Sequence, residues 1–149
     1  MTAHGFAALL GAALVLVGTV QAYPDADKVK TLWQWDDISF GLYSGYTPIP
    51  KTQKQLHYVA ALSQRSPSTD PVIIWFNGGP GCSSMLGLLQ EHGPYSLPDG
   101  QDSFVKNSYS WNKQANMIYI ESPAGVGYSI CGNPAECKWN DFNTAEDNL

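Results

Sequence analysis

Basic charge is scarce in this chain. Lys and Arg number 8 against 13 Asp and Glu, the formal charge is −5, and the cations nowhere cluster. A surface of that kind argues against nucleic acid or an anionic membrane face as partner. Cysteine is sparse too. There are three, and no two have ligand spacing beside a histidine, so no metal is expected, and no cofactor either. Asn-x-Ser/Thr sequons, repeats and low-complexity tracts are missing. One uncharged apolar run stands out, 6–20, rich in Ala, Leu, Val and Gly. It is short for a bilayer span and has the length of a signal-peptide core. Val20-Gln21-Ala22 fits a small-x-small cleavage pattern, so residues 1–22 are expected to be removed and the mature chain to begin at Tyr23. An uncleaved anchor is the alternative, since the run is preceded by His4 and no Lys or Arg. With the signal removed, no membrane association is expected.

Apolar and aromatic content argues against disorder, and 23–149 suits one small domain by length. The strongest local pattern is the junction at Val72. Val72-Ile73-Ile74 reads as a strand buried on both faces. It runs into Trp75-Phe-Asn-Gly-Gly-Pro-Gly-Cys-Ser-Ser84. Met85, Leu86, Leu88 and Leu89 then recur at helical spacing, and Gly93-Pro94 is a stop. Strand, glycine turn and helix in that order leave backbone N–H groups free to stabilise an anion, bound or developing in a transition state.

Other elements are coarser. Residues 40–46 read as a strand with a turn, and 47–51 as an edge or turn because of Pro48 and Pro50. Residues 56–62 read as a strand with Leu56, Tyr58, Ala60 and Leu62 on one face, and 117–121 as a second buried strand. Residues 23–35 read as a surface loop. Thr144-Ala-Glu-Asp147 has the form of a capping box opening a helix. Ser83 and Ser84 read as helix caps, His57 and His92 as ordinary surface or partly buried residues, and Trp111 and Trp139 as core. Cys131 and Cys137 flank a turn-rich insert that could close as a small disulfide loop, which leaves Cys82 over. Pairing of Cys82 with either of them is the other arrangement the count allows.

The stretch from Trp75 to Pro94 closely resembles the serine carboxypeptidases, an acid-active branch of the α/β-hydrolases. Glu121-Ser-Pro-Ala-Gly-Val-Gly-Tyr-Ser129, Asn107-Ser-Tyr-Ser-Trp-Asn112 and Ala115-Asn116 are similar to the same family, and Tyr43-Ser-Gly-Tyr46 more weakly. The fold class implied is α/β, the N-terminal portion of the mixed central sheet of an α/β-hydrolase. The activity implied is release of C-terminal residues from peptides through an acyl-enzyme. Acyl transfer from esters on the same site is the alternative, and a non-catalytic peptide-binding product is another.

The resemblance also assigns residues. Asn77 matches an asparagine that donates its amide to the substrate's C-terminal carboxylate. Glu91 matches a buried glutamate supporting that contact. Gly78 contributes backbone, Gly79 supplies one oxyanion-hole N–H, and Trp75 orients the cluster. By chemistry alone Asn77 would only satisfy turn backbone; the length of the matching block favours the ligand role. A carboxylate at Glu91 tolerates a substrate carboxylate when the two share a proton. The Glu121–Tyr128 block is expected to be a structural turn without chemistry.

The nucleophile pattern Gly-x-Ser-x-Gly is absent. Ser83 and His92, nine residues apart on one short helix, do not face each other as a substitute. The chain therefore reads as the N-terminal part of the fold, incomplete, stopping before the Ser/Asp/His triad and inactive alone. Cys82 is implied to pair with a cysteine in the remaining polypeptide. The compartment implied is the secretory pathway, extracellular or lysosome/vacuole.

Overall fold

The computed structural model describes residues 23–34 and 38–149. The expected signal segment lies outside the described residues. Alternation at period two builds the sheet. Strand β1 (Leu42–Pro48) pairs antiparallel with β2 (Lys54–Ala61), with Ser44 opposite Val59 and Tyr46 opposite His57. A short β3 (Val72–Trp75) follows the polar connection. The small hairpin of β4 (Tyr95–Ser96) and β5 (Val105–Lys106) stands apart from the main sheet. Strand β6 (Asn116–Ile120) inserts between β2 and β3, antiparallel to the first and parallel to the second. Strand β7 (Ile130–Cys131) pairs with the start of β2. The main sheet is mixed, in the order β1-β2-β6-β3.

The strand expected over 56–62 runs two residues earlier, and its pattern holds. Tyr58 and Ala60 pack on one face with Tyr43, Leu62, Ile118 and Ile120. The intervening Val59 and Ala61 pack on the other face with Leu42, Met117 and Tyr119. Both faces of β2 are covered, one by the helical turn and its leucines and the other by Tyr23 and its neighbours. The expectation that β3 is buried on both faces fails. Ile73 and Trp75 pack into the core beneath the helical turn, whereas Val72 and Ile74 are 59% and 54% exposed. Strand β3 is the sheet's edge, and no described element covers its second face. Periodicity reports where apolar residues recur, not whether a partner layer is present.

The helix expected over 84–92 forms, but its body at Gly87–Glu91 is a π-helical turn. The C-terminal helix α1 (Asp141–Asp147) starts four residues before the Thr144 box. Asn140 is its N-cap, accepting from the Phe142 and Asn143 amides, while the Asn143 side chain accepts from the Asn140 amide. Asn is as good an N-cap as Ser or Thr, and here it completes the reciprocal box first. An ion pair between Lys54 and Asp147 (2.7 Å, both side chains 7% exposed) ties α1 to β2. Residues 23–34 are less loose than expected, with a 3-10 turn at Asp25–Asp27 and a bridge from Lys28 to Tyr43. Cys131 and Cys137 are disulfide-bonded and Cys82 is free and exposed. Among the described residues no helix is long and apolar enough to cross a membrane.

The bare face of β3, at an unpaired strand edge, exposes the kind of apolar surface that promotes self-association. Ile74→Lys is expected to raise the monomeric fraction of the chain in sedimentation velocity. It should leave the unfolding free energy in urea within about 0.5 kcal/mol of the parent, because an exposed position is being changed.

Candidate functional site

Trp75 is the last residue of β3, and its indole Nε1 donates to Asn77 Oδ1 at 2.9 Å. The Gly87 amide donates to the same oxygen at 3.1 Å. Two donors on one atom fix which end of the carboxamide is oxygen, so the amide group must point the other way. It does so toward Glu91, with Nδ2 donating to Oε1 at 3.3 Å. The Asn77 backbone amide donates to Ser84 Oγ at 3.1 Å, and that hydroxyl donates to the Ile120 carbonyl at 2.5 Å. Ser84 is thus a tie between loop and sheet rather than a cap. Ser83 does cap, accepting from the Met85 amide at 3.1 Å.

Gly87 is the residue the sequence reading missed. A Cβ there would overlap the Trp75 indole nitrogen and crowd Asn77 Oδ1. Its only signal was a glycine at a helical position that periodicity would fill with a larger residue. Gly78 and Gly79 lie in the exposed loop, Gly79 with φ of 138°. The Gly78 carbonyl accepts from the Cys82 amide, and neither glycine amide donates to an acceptor among the described residues. Trp75, Asn77 and Glu91 therefore form one hydrogen-bonded group, with the two glycines beside it in sequence and outside its bonding. Glu91, expected to be buried, is exposed. It closes the π-helical turn, and no described element packs over it.

Beneath this group is an aromatic stack. His92 lies 4.2 Å from Trp111 and 5.6 Å from Tyr119 in stacked geometry, and 4.3 Å from Trp75 edge-on. Its Nδ1 bonds the Tyr119 hydroxyl at 3.1 Å, and its Nε2 is buried without a partner among the described residues. His92 is 6% exposed, so the surface reading of this residue is corrected. Trp111 and Trp139, expected as core, are 46% and 44% exposed. Trp111 instead lids His92. Burial pushes the His92 imidazole below its ordinary value, opposed by the nearby Glu91 carboxylate. Burial, then Glu91, raises the Tyr119 hydroxyl.

The asparagines of the other matching blocks are structural. Asn112 Nδ2 donates to the Leu62 carbonyl and Asn116 Nδ2 to those of Pro67 and Asp70, which fixes the β2–β3 connection. Glu121 anchors the turn expected over Glu121–Tyr128. It is fully buried, with Oε2 accepting from the Tyr128 amide (2.7 Å) and contacting His57 Nδ1 (2.9 Å), and Oε1 accepting from Ser83 Oγ. His57 is buried as well, at 7% exposure.

The clamp gives two expected outcomes. Gly87→Ala forces the Trp75–Asn77 contact apart and should cost about 1–3 kcal/mol by urea denaturation. A depressed native value for His92 means stability fully present above about pH 6.5 and lost as pH falls below it, since the unfolded chain then binds the extra proton. His92→Gln should flatten the dependence of the urea midpoint on pH below about 6.5.

Comparison with known proteins bears on the family and the fold. The family model described as "Serine carboxypeptidase" matches residues 33–149. "Serine carboxypeptidase ctsa-4.1" of Caenorhabditis elegans is 52% identical over 113 residues, covering 75% of this chain and 24% of that protein. "Lysosomal protective protein" of Mus musculus is 45% identical over 130 residues, covering 86% and 27%. The crystal structure of Kex1(delta)p, a prohormone-processing carboxypeptidase from Saccharomyces cerevisiae, superposes with a TM-score of 0.61 at 27% identity, covering 79% of this chain and 28% of that one. The chain spans about a quarter of the length of the curated relatives it matches. With most of its length matched by the family model and its mixed sheet matched by a solved member, the chain belongs to the serine carboxypeptidase family.

Proposed function

We propose that this chain forms the carboxylate-recognition side of a serine-type carboxypeptidase, which releases C-terminal residues from peptides through an acyl-enzyme at acid pH. One observation carries the reading. The Asn77 carboxamide is held rigidly by Trp75 and Gly87, with its amide presented beside Glu91. A donor fixed in advance costs no ordering when an anion arrives. The exposed Gly78–Gly79 amides next to it suit the developing oxyanion, Gly79 as one donor. The substrate is a peptide with a free C-terminal carboxylate.

In this reading the serine, aspartate and histidine of the triad lie in further polypeptide, and residues 23–149 alone do not cleave peptides. The same polypeptide would cover Glu91 and supply the partner of the Cys82 thiol. A secretory-pathway location, extracellular or lysosomal, accords with the Cys131–Cys137 disulfide and with the name of the mouse relative.

The test is Glu91→Gln in a chain carrying residues 23–149 together with the triad-bearing polypeptide, assayed on blocked dipeptides. In the parent, KM should rise about tenfold per pH unit once the shared proton is lost, with kcat less affected. In Glu91→Gln that rise should disappear, because the amide stays neutral. Identical KM profiles for parent and variant would reject Glu91 as a carboxylate partner.

A further inference from the structure

The register of β1, β2 and β6 assembles a second constellation, away from the Asn77 clamp. Tyr46 lies opposite His57 and Ser44 opposite Val59, so Ser44 and His57 are diagonal neighbours on one face of the sheet. Ser44 Oγ is 3.0 Å from His57 Nε2. His57 Nδ1 is 2.9 Å from Glu121 Oε2. Glu121 is fully buried and takes hydrogen bonds from the Tyr128 amide and from Ser83 Oγ, which fix it against His57. A carboxylate on Nδ1 holds the proton there and leaves Nε2 as the acceptor facing the serine. A nucleophile on a base, and the base on an orienting acid, is the arrangement that activates a serine.

The arrangement opens on space. Ser44 and His57 line a cavity of about 620 Å³ together with Tyr46, Val59, Met85 and Tyr128, and Asp27 stands at the same wall. The Asp27 carboxylate is held by the Tyr58 hydroxyl at 2.7 Å. A mostly apolar and aromatic wall with one fixed negative group admits neutral or cationic acyl compounds and disfavours anionic ones.

We propose that Ser44, with His57 as base and Glu121 as its orienting acid, is a reactive serine that takes acyl groups from neutral, activated esters. Ser44 Oγ attacks the ester carbonyl carbon while its proton passes to His57 Nε2. The C–O bond to the leaving group breaks, and His57 returns the proton to the departing alkoxide. Acyl-Ser44 and free alcohol result, and water attacking by the same route releases the carboxylic acid and restores the serine. A good leaving group is required because the wall around the serine is largely apolar, so aryl esters and fluorophosphonates react and peptide bonds do not. This activity is independent of the carboxypeptidase reading and needs none of the residues of the Asn77 clamp.

The experiment treats the 149-residue chain, without the triad-bearing polypeptide, with a neutral fluorophosphonate probe. It maps the adduct by peptide mass spectrometry and follows 4-nitrophenyl acetate for a burst of nitrophenolate. One adduct on Ser44, lost in Ser44→Ala and slowed at least tenfold in His57→Gln, is the expected result, with Ser108→Ala reacting like the parent. If Ser44→Ala loses the parent's circular dichroism, Ser44→Cys replaces it. Its new thiol should react with iodoacetamide at pH 7 at least tenfold faster than the exposed Cys82 of the same molecule. No adduct, an adduct on another serine, a burst unchanged in Ser44→Ala, or a new thiol no faster than Cys82 would overturn the proposal.

Discussion

A single carboxylate withdrawn wholly from water organises the centre of this molecule. Glu121 has no solvent exposure and sits just past the end of β6. A buried charge is tolerated only when its oxygens are satisfied, and an uncompensated one costs several kcal/mol. The residues that satisfy Glu121 come from three places: His57 of β2, Ser83 at the end of the glycine loop, and the Tyr128 amide of the following turn. Each is thereby fixed relative to the sheet. The Ser129 hydroxyl adds a second tie, accepting from the His57 amide and donating to the Glu121 carbonyl. The glycine loop carries little bulk of its own to pack, and it owes its position to this centre and to Ser84 on the Ile120 carbonyl.

The clamp on Asn77 is built on that anchored loop. Its oxygen is consumed internally by Trp75 and Gly87, which leaves the amide as the outward resource. The π-helical turn is part of the same device. It brings the Gly87 amide to Asn77 at one end and carries Glu91 back to the same side chain at the other. Such turns inside helices often accompany functional sites. The aromatic stack of Trp75, His92, Trp111 and Tyr119 supports the clamp from below, and a histidine held neutral by burial packs there as a flat ring.

The two faces of the sheet are unequally served. One is sealed along β1, β2 and β6 by the helical turn and its leucines. The other is covered over β1 and β2 by Tyr23 and its neighbours and left bare at β3. The glycine loop leaves the sheet from this bare edge strand. The clamp thus stands beside the least enclosed part of the molecule.

Local order was legible in the chain itself. Alternation specified β1 and β2, because side chains of a strand point to opposite faces whatever surrounds them, and a continuous apolar run specified β6. The run from Trp75 to Ser84 specified a turn between strand and helix, because its glycines and proline cannot continue either. That run, continued to Pro94, carried the family resemblance that placed Trp75, Asn77 and Glu91 together. What the sequence did not state is what lies across space. Whether Val72 and Ile74 meet a second layer depends on neighbours, so their apolarity was misread as burial. The joining of Ser44, His57 and Glu121, spread over 78 positions of chain, exists only through the pairing register of three strands. His57 and His92 read as ordinary surface or partly buried residues because a histidine's role is set by which hydrogen-bond partners and rings the fold brings to it, and those partners are distant in sequence.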